Sequence, residues 1–501
     1  MNVFTRALVF VTSLLCSAAA VAVEVAAAAK PNVIVILADD QGYADLSTQG
    51  VKADVKTPHI DRLAREGVRL SAGYITAPQC SPSRAGLITG RYQQRFGFDT
   101  IPDCPLPLEE VTLAERLRAA GYVSGQVGKW HLDPNPLSTR WIKANMPGAK
   151  ADRGRVAIPE EARRAYSPLA QGFDECFTGE TTTYFATYDR DGRSLSKQGE
   201  RITTRGAYRL EVQTDAAVAF IKRHHDQPFF LYLCYFGPHV PLEATKKYLD
   251  RFPGEMPERR RHALAMISAI DDGVGRITDA LREHGVEENT LIAYTSDNGA
   301  PVQLHHEDRK PVNLVSADWD GSLNDPWVGE KGMLSDGGVR VPFVMRWKGV
   351  LPAGKVYIHP VSSLDLAATA VAAAGLAHDG RLDGVDLVPF LSGRKTGAPH
   401  EALFWRFWNQ SAVRAGKWKY LKLGNGAEFL FDLESDQHEG RNVIAANTDT
   451  ARQLARKLAD WTAGLQPPGL PGQPLTRQEN RWYEYYFGMP PQPEPKRATE
   501  K

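Results

Sequence analysis

Three polar clusters and one cysteine motif hold the residue types that could do chemistry. Asp39-Asp40 follows the apolar run 31–38, His239 follows the run 229–236, and Asp297-Asn298 follows the run 290–295. Singly, an Asp-Asp or Asp-Asn-Gly step makes a turn. Together, at the ends of strands that read as buried, they supply four oxygen donors suited to a hard divalent cation, Ca²⁺ with Mg²⁺ as the alternative. The fourth feature is Cys80-Ser81-Pro82-Ser83-Arg84. Alone, it admits two readings, an inert buried thiol beside a turn or a reactive centre flanked by a cation.

Positioning such groups needs a sheet whose strands point the same way. Continuous apolar runs, as in 31–38, mark strands buried on both faces, the hallmark of parallel sheets. Between them lie helix signals. Thr57-Pro58 starts one helix, and Ile60, Leu63 and Ala64 form its buried stripe. Thr112-x-x-Glu115 is a capping box, with Gly121 closing that helix. Further helices are predicted around 208–224 and along Met266, Ile270, Val274, Ile277 and Leu281. Strands alternating with helices define an α/β domain with a mainly parallel sheet, whose ligands bind beyond the carboxyl ends of the strands. Residues 133–205, rich in Pro, Arg, Gly and Thr, read as a long surface insertion of the kind that shapes pockets. Beyond about residue 395, segments 402–408, 412–423 and 428–433 read as antiparallel strands and 451–465 as an amphipathic helix. The expected division is a signal segment 1–29, a catalytic domain 30–395, a smaller C-terminal α+β domain 396–466, and a Pro-rich tail 467–501 that wraps the surface or stays disordered.

The cysteine motif continues as Ala-Gly-Leu-Ile-Thr-Gly90-Arg91 and is joined by four more blocks. These are Gly121-Tyr-Val-Ser-Gly-Gln-Val-Gly-Lys129-Trp-His131, Gly237-Pro-His239-Val-Pro241, Ser296-Asp-Asn-Gly299 and Gly329-Glu-Lys331-Gly-Met-Leu-Ser-Asp-Gly-Gly-Val-Arg-Val-Pro342. In this order they resemble the type I sulfatase family, across roughly 31–465, and the resemblance implies an alkaline-phosphatase-like fold. Asp336 departs from the Glu that many relatives carry. In the family the motif cysteine is oxidised to formylglycine on the unfolded chain by a maturation enzyme that reads the positions of Pro82 and Arg84. The resemblance makes Asp39, Asp40, Asp297 and Asn298 metal ligands, with the modified Cys80 completing the site. It gives Arg84 the stabilisation of the diol and Lys129 a grip on sulfate. It makes His131 the base that drives sulfate elimination, and it has His239 and Lys331 bind the ester and protonate the departing alcohol.

The remaining composition sets bounds. Lys plus Arg is 60 and Asp plus Glu is 59, a net charge of +1, which argues against a nucleic-acid binder. With 43% hydrophobic residues the chain can build a large core. Arg6, the apolar stretch 7–15 and the small residues after it read as a signal peptide, so the chain is expected to be secreted or periplasmic, with no stable membrane insertion. Of five cysteines, the four beyond the signal segment are too few for a disulfide scaffold, though they leave room for one bridged pair. Specificity is expected on loops, where Tyr184, His305, His306, Arg309, Trp319, Asp320, Arg406 and Trp408 mix aromatic planes with charge, as a sulfated poly- or oligosaccharide requires. The alternatives are an aryl sulfatase, a phosphate or phosphonate monoesterase on the same scaffold, and a non-catalytic glycan binder. The aromatics would then merely pack a seam between domains.

Overall fold

The computed structural model describes residues 30–152, 155–302, 312–315, 319–470 and 472–492. In chain order its strands are β1 Asn32–Asp39, β2 Val68–Leu70, β3 Gly73–Tyr74, β4 Val123–Gly128, β5 Glu175–Gly179, β6 Thr183–Ala186, β7 Glu200–Thr203 and β8 Phe229–Pro238. They continue with β9 Thr290–Ser296, β10 Phe343–Arg346, β11 Lys355–Tyr357, β12 Val361–Ser362, β13 Leu403–Phe407, β14 Gln410–Ala415, β15 Trp418–Leu423 and β16 Glu428–Asp432. Ten form one sheet in the order β11-β2-β10-β9-β1-β8-β4-β5-β6-β7, and β13 to β16 form a separate antiparallel meander. This is the expected α/β architecture with a smaller antiparallel sheet.

The apolar runs of β1, β8 and β9 are buried at every position. One side of β1, Ile34 and Ile36, packs in a cluster with the helices Arg209–His224 and Glu258–Glu283. The other side, Val33, Val35 and Leu37, packs with the helices Cys80–Thr89 and Leu364–Ala373. Helices on both faces are what a parallel sheet needs. Strands β9, β1, β8, β4 and β5 run parallel to their neighbours in that order, so their carboxyl ends lie side by side.

Several local expectations are revised. The 133–205 stretch is not only a surface insertion, because it contributes β5, β6 and β7 and buries Phe177, Tyr184 and Ala186 in the core. Thr57 occupies the N-cap position without making a capping bond; its hydroxyl donates to Asp61 instead. The Pro-rich tail contains the helix Arg477–Phe487, started by a Thr476/Glu479 capping box, and Trp482 and Tyr483 are buried against the small sheet. Cys80, Cys104, Cys176 and Cys234 are free and buried, so no disulfide forms among the described residues. None of the described helices is long and apolar enough to cross a membrane.

Candidate active site

Four adjacent strand ends deliver the predicted groups. β1 ends at Asp39, and Asp40 turns away with φ of 65°; β4 leads into Lys129 and into His131, whose φ is 59°. Left-handed backbone is costly for non-glycine residues, and it concentrates where side chains must be aimed. β8 leads to His239 and β9 to Asp297 and Asn298. At Gly299 a Cβ would fall 1.9 Å from the Gly337 carbonyl, so only glycine lets this turn meet the segment that carries Lys331.

Cys80 is the first residue of the helix Cys80–Thr89, whose N-terminus brings partial positive charge to the site. Its Sγ lies 3.6 Å from Asp39 Oδ1, 3.9 Å from Asp40 Oδ1 and 3.3 Å from Lys331 Nζ. One turn on, Arg84 donates from Nε and Nη2 to Asp297 Oδ2 at 2.9 and 2.7 Å, and from Nη1 to the Lys129 carbonyl at 3.1 Å. Lys129 Nζ donates to Asp39 Oδ2 at 2.6 Å. Lys331 Nζ donates to both oxygens of Asp40, at 2.6 and 2.8 Å. His239 Nδ1 donates to the Val240 carbonyl at 2.6 Å, which leaves Nε2 facing Asp40 Oδ2 at 3.6 Å. Of the ten residues predicted as catalytic or metal-binding, nine therefore meet; His131 stands close enough to feel the charges of Lys129, Arg84 and Asp39, with a buried Nδ1 lacking any partner.

The electrostatics follow from burying this many charges. Burial alone would raise the Asp39 carboxyl, but Lys129, His239 and Arg84 hold it well below the usual range. Asp297 is pushed up to about 6 by burial and by the Asp39 charge, against Arg84. Burial pushes the Cys80 thiol up despite the two lysines. Burial and Lys129 drive His131 well below the ordinary imidazole value; burial also lowers His239, against the pull of Asp39 and Asp40. Lys129 and Lys331 are raised, because Asp39 and Asp40 outweigh the cost of burial.

The donor set fits a divalent cation. Ligand atoms of Asp39, Asp40, Cys80 and His239 all lie within 4.8 Å of one another. Asn298 donates from Nδ2 to Asp40 Oδ1 and Gly299 O, leaving its buried Oδ1 without a partner, an acceptor of the kind a hard cation takes up. A second group, His59, Asp271 and Asp272, is structural: Asp271 accepts the backbone N–H groups of His59 and Ile60, and Asp272 pairs with Arg251.

The expected substrate residues are scattered. Asp320 is buried, with Oδ1 accepting the Ser322 N–H and Oδ2 unpartnered, and the charges of Asp40 and Lys331 both reach it. Tyr184 is buried against Phe177 and donates to Thr181 O; it lines a cavity of about 500 Å³ that also contacts His131. Trp319 is buried beside Ala44 and Leu323 and donates to Ser322 O, so it supports a wall rather than offering a face. Arg406 is a correction: it pairs with Asp99 and donates to the carbonyls of Gln466, Pro467 and Gly469, which leaves no free edge for a sugar. Trp408 stacks on Phe407 and Trp482 and packs the seam under the C-terminal helix. His305, His306 and Arg309 lie outside the described residues. Asp133, Arg163 and Glu180 also line the 500 Å³ cavity; they were missed because isolated charges in a loop carry no spacing signal.

A sheet-end site with clustered carboxylates, two lysines and a helix-mounted cysteine defines a hydrolase of the alkaline phosphatase superfamily. The family described as Sulfatase matches residues 31–376, and the one described as N-sulphoglucosamine sulphohydrolase, C-terminal, matches 327–464. The chain belongs to the sulfatase family and is an enzyme of that class. Among relatives, N-acetylgalactosamine-6-sulfatase of Canis lupus familiaris is 33% identical, over 87% of this chain and 80% of its own length. The uncharacterized sulfatase YdeN of Escherichia coli (strain K12) is 29% identical, over 88% and 86%. Among solved structures, Ps i-CgsB in complex with k-i-k-neocarrahexaose is 28% identical with a TM-score of 0.70, covering 91% of this chain and 97% of its own.

Proposed function

We propose that this enzyme removes sulfate from a sulfated poly- or oligosaccharide, using a hydrated formylglycine made from Cys80. The observation that carries the reading is the placement of Cys80 at a helix N-terminus within 3.9 Å of Asp39, Asp40 and Lys331. Asp39, Asp40, Asp297 and Asn298 would hold Ca²⁺, or Mg²⁺, which when bound would lend positive charge to the ester's sulfate group. Formylglycine, once hydrated, would supply two hydroxyls on one carbon, one to attack sulfur and one to expel the sulfate.

The chain's own side chains provide the rest. Lys129 and Lys331 bring two ammonium groups into a water-poor pocket, where they neutralise charge gathering on sulfate oxygens. His131, neutral because burial disfavours its cation, is suited to take the proton whose loss drives elimination. His239 presents Nε2, and with Lys331 it would supply the proton that the departing alcohol needs. The named substrates of the relatives support a carbohydrate leaving group, as does the 500 Å³ cavity beside His131, which exceeds what an aryl group alone requires. The N-terminal pattern supports export to the periplasm or beyond, with Cys80 modified by a formylglycine-generating enzyme before folding.

The test compares nitrophenyl sulfate, nitrophenyl phosphate and a panel of sulfated saccharides on the metal-loaded, modified protein. The reading predicts sulfate release, fastest from a saccharide. A preference for the phosphate ester would overturn it.

A further inference from the structure

Arg209 opens the helix Arg209–His224 and is 1% exposed. Its Nη2 donates to the carbonyls of His239 at 3.0 Å and Pro241 at 2.7 Å. Its guanidinium lies 4.7 Å from the centre of the Phe236 ring, and that ring stacks on the His239 imidazole at 4.9 Å. The remaining donors, Nε and Nη1, have no partner, and no carboxylate pairs with the group among the described residues. A buried guanidinium without an ion pair destabilises a fold. Its helical neighbours Leu210 and Val212 are fully buried and apolar, so an apolar side chain at 209 would suit the packing better.

We propose that Arg209 is a positioning residue for His239, held at a cost in stability because it fixes the turn that aims the imidazole. Two carbonyls flanking Val240 are gripped by one guanidinium nitrogen, so the peptide planes around His239 cannot rotate independently. The Val240 carbonyl between them accepts the Nδ1–H of His239, which sets the ring's tautomer and directs Nε2 towards Asp40. Phe236, in contact with both the guanidinium and the imidazole, holds the ring from its face. The inference rests on the reading of His239 as an active-site group. It differs from a structural tie in sign, since an apolar replacement should preserve or raise stability while lowering turnover. A misplacement of about 1 Å can cost on the order of a hundredfold in rate.

The experiment compares wild type, Arg209→Met and Arg209→Lys in the full chain, by steady-state kinetics on a sulfate ester, thermal unfolding and crystallography. Arg209→Met is expected to lose at least about tenfold in kcat with KM within about threefold, at an unchanged or higher Tm. Arg209→Lys, which keeps a donor for these carbonyls, is expected to recover part of kcat. A kcat of Arg209→Met within twofold of wild type would overturn the proposal, as would a loss of activity that merely follows a lowered Tm or failure to fold. If wild type hydrolyses no sulfate ester, the functional reading fails separately. The crystal structures then decide the positioning role: a displaced 239–241 turn supports it, and an unchanged His239–Asp40 geometry overturns it.

Discussion

Lys419 on β15 is fully buried between two carboxylates, with Nζ 2.7 Å from Asp336 Oδ1 and 2.7 Å from Glu439 Oε1. Asp336 follows the Lys331 segment of the large sheet's domain, while Lys419 belongs to the small sheet, so the triad ties the two together. Asp336 keeps other partners in Lys419→Met, namely Arg340 at 3.2 Å and the Tyr74 hydroxyl at 2.8 Å, whereas Glu439 loses the one cation it pairs with among the described residues. Removing one partner of a buried pair costs about 3–5 kcal/mol. Burial already pushes Glu439 up to about 7 against the Lys419 ammonium, so at neutral pH the orphaned carboxyl can protonate cheaply. The lower end, about 3 kcal/mol, is therefore expected at pH 7. The sign with pH follows. A carboxyl whose folded pKa is raised contributes stability that is present below its unfolded value and lost as pH rises through the folded one. In wild type that loss ends near pH 7 and above; in Lys419→Met it extends higher, so the deficit should widen above pH 7 by about 1 kcal/mol per pH unit. Urea unfolding followed by tryptophan fluorescence at pH 7 and 8.5 measures both quantities, and adding Glu439→Gln should restore at least half the loss. A variant within about 0.5 kcal/mol of wild type at both pH values, or a double variant no better than the single, would refute the reasoning.

Chelation of divalent cations should abolish activity, with Ca²⁺ or Mg²⁺ restoring it. Asn298→Ala, which removes the orphaned buried acceptor, should need more cation for half-restoration; an unchanged titration would exclude Asn298 as a ligand. Trp482→Ala should destabilise by about 3–5 kcal/mol, because the indole fills the seam above Gly332 and Trp408; unchanged stability would mean that the C-terminal helix is not part of the core. Burial lowers His400, but Asp365 at 2.8 Å outweighs it and raises the pKa above 6.5. The stability it contributes is full below pH 6.5 and lost as pH rises through the raised value. The Tm difference between wild type and His400→Asn should therefore be largest at acid pH, and a difference that grows with rising pH would contradict the pairing.

The parallel core was legible because burial on both faces leaves an unmistakable run of apolar residues, as in β1 and β8. Part of the candidate site was legible because such strands end abruptly in groups that cannot stay apolar, Asp39-Asp40, His239 and Asp297-Asn298, whereas Lys129, His131 and Lys331 were read only from the family resemblance. The C-terminal helix was hidden by composition, although its Thr476-x-x-Glu479 capping box is plain in the sequence; flanking prolines drew attention away from it. β5 to β7 were hidden because an edge region alternates short strands with exposed charge. Arg406 and Trp408 show why substrate residues resist this reasoning. A charge next to an aromatic looks the same whether it faces a ligand or a chain segment, and the carbonyls that occupy Arg406 lie about sixty residues downstream. Arg209 carries no local signal, since its partners belong to a turn some thirty residues away.

The most direct test of the account is mass spectrometry of the tryptic peptide spanning residues 70–84 from active protein, read beside sulfate release by the same sample. The account predicts an aldehyde in place of the Cys80 thiol, with activity in proportion to the modified fraction. A uniformly unmodified cysteine in protein that hydrolyses sulfate esters would contradict it.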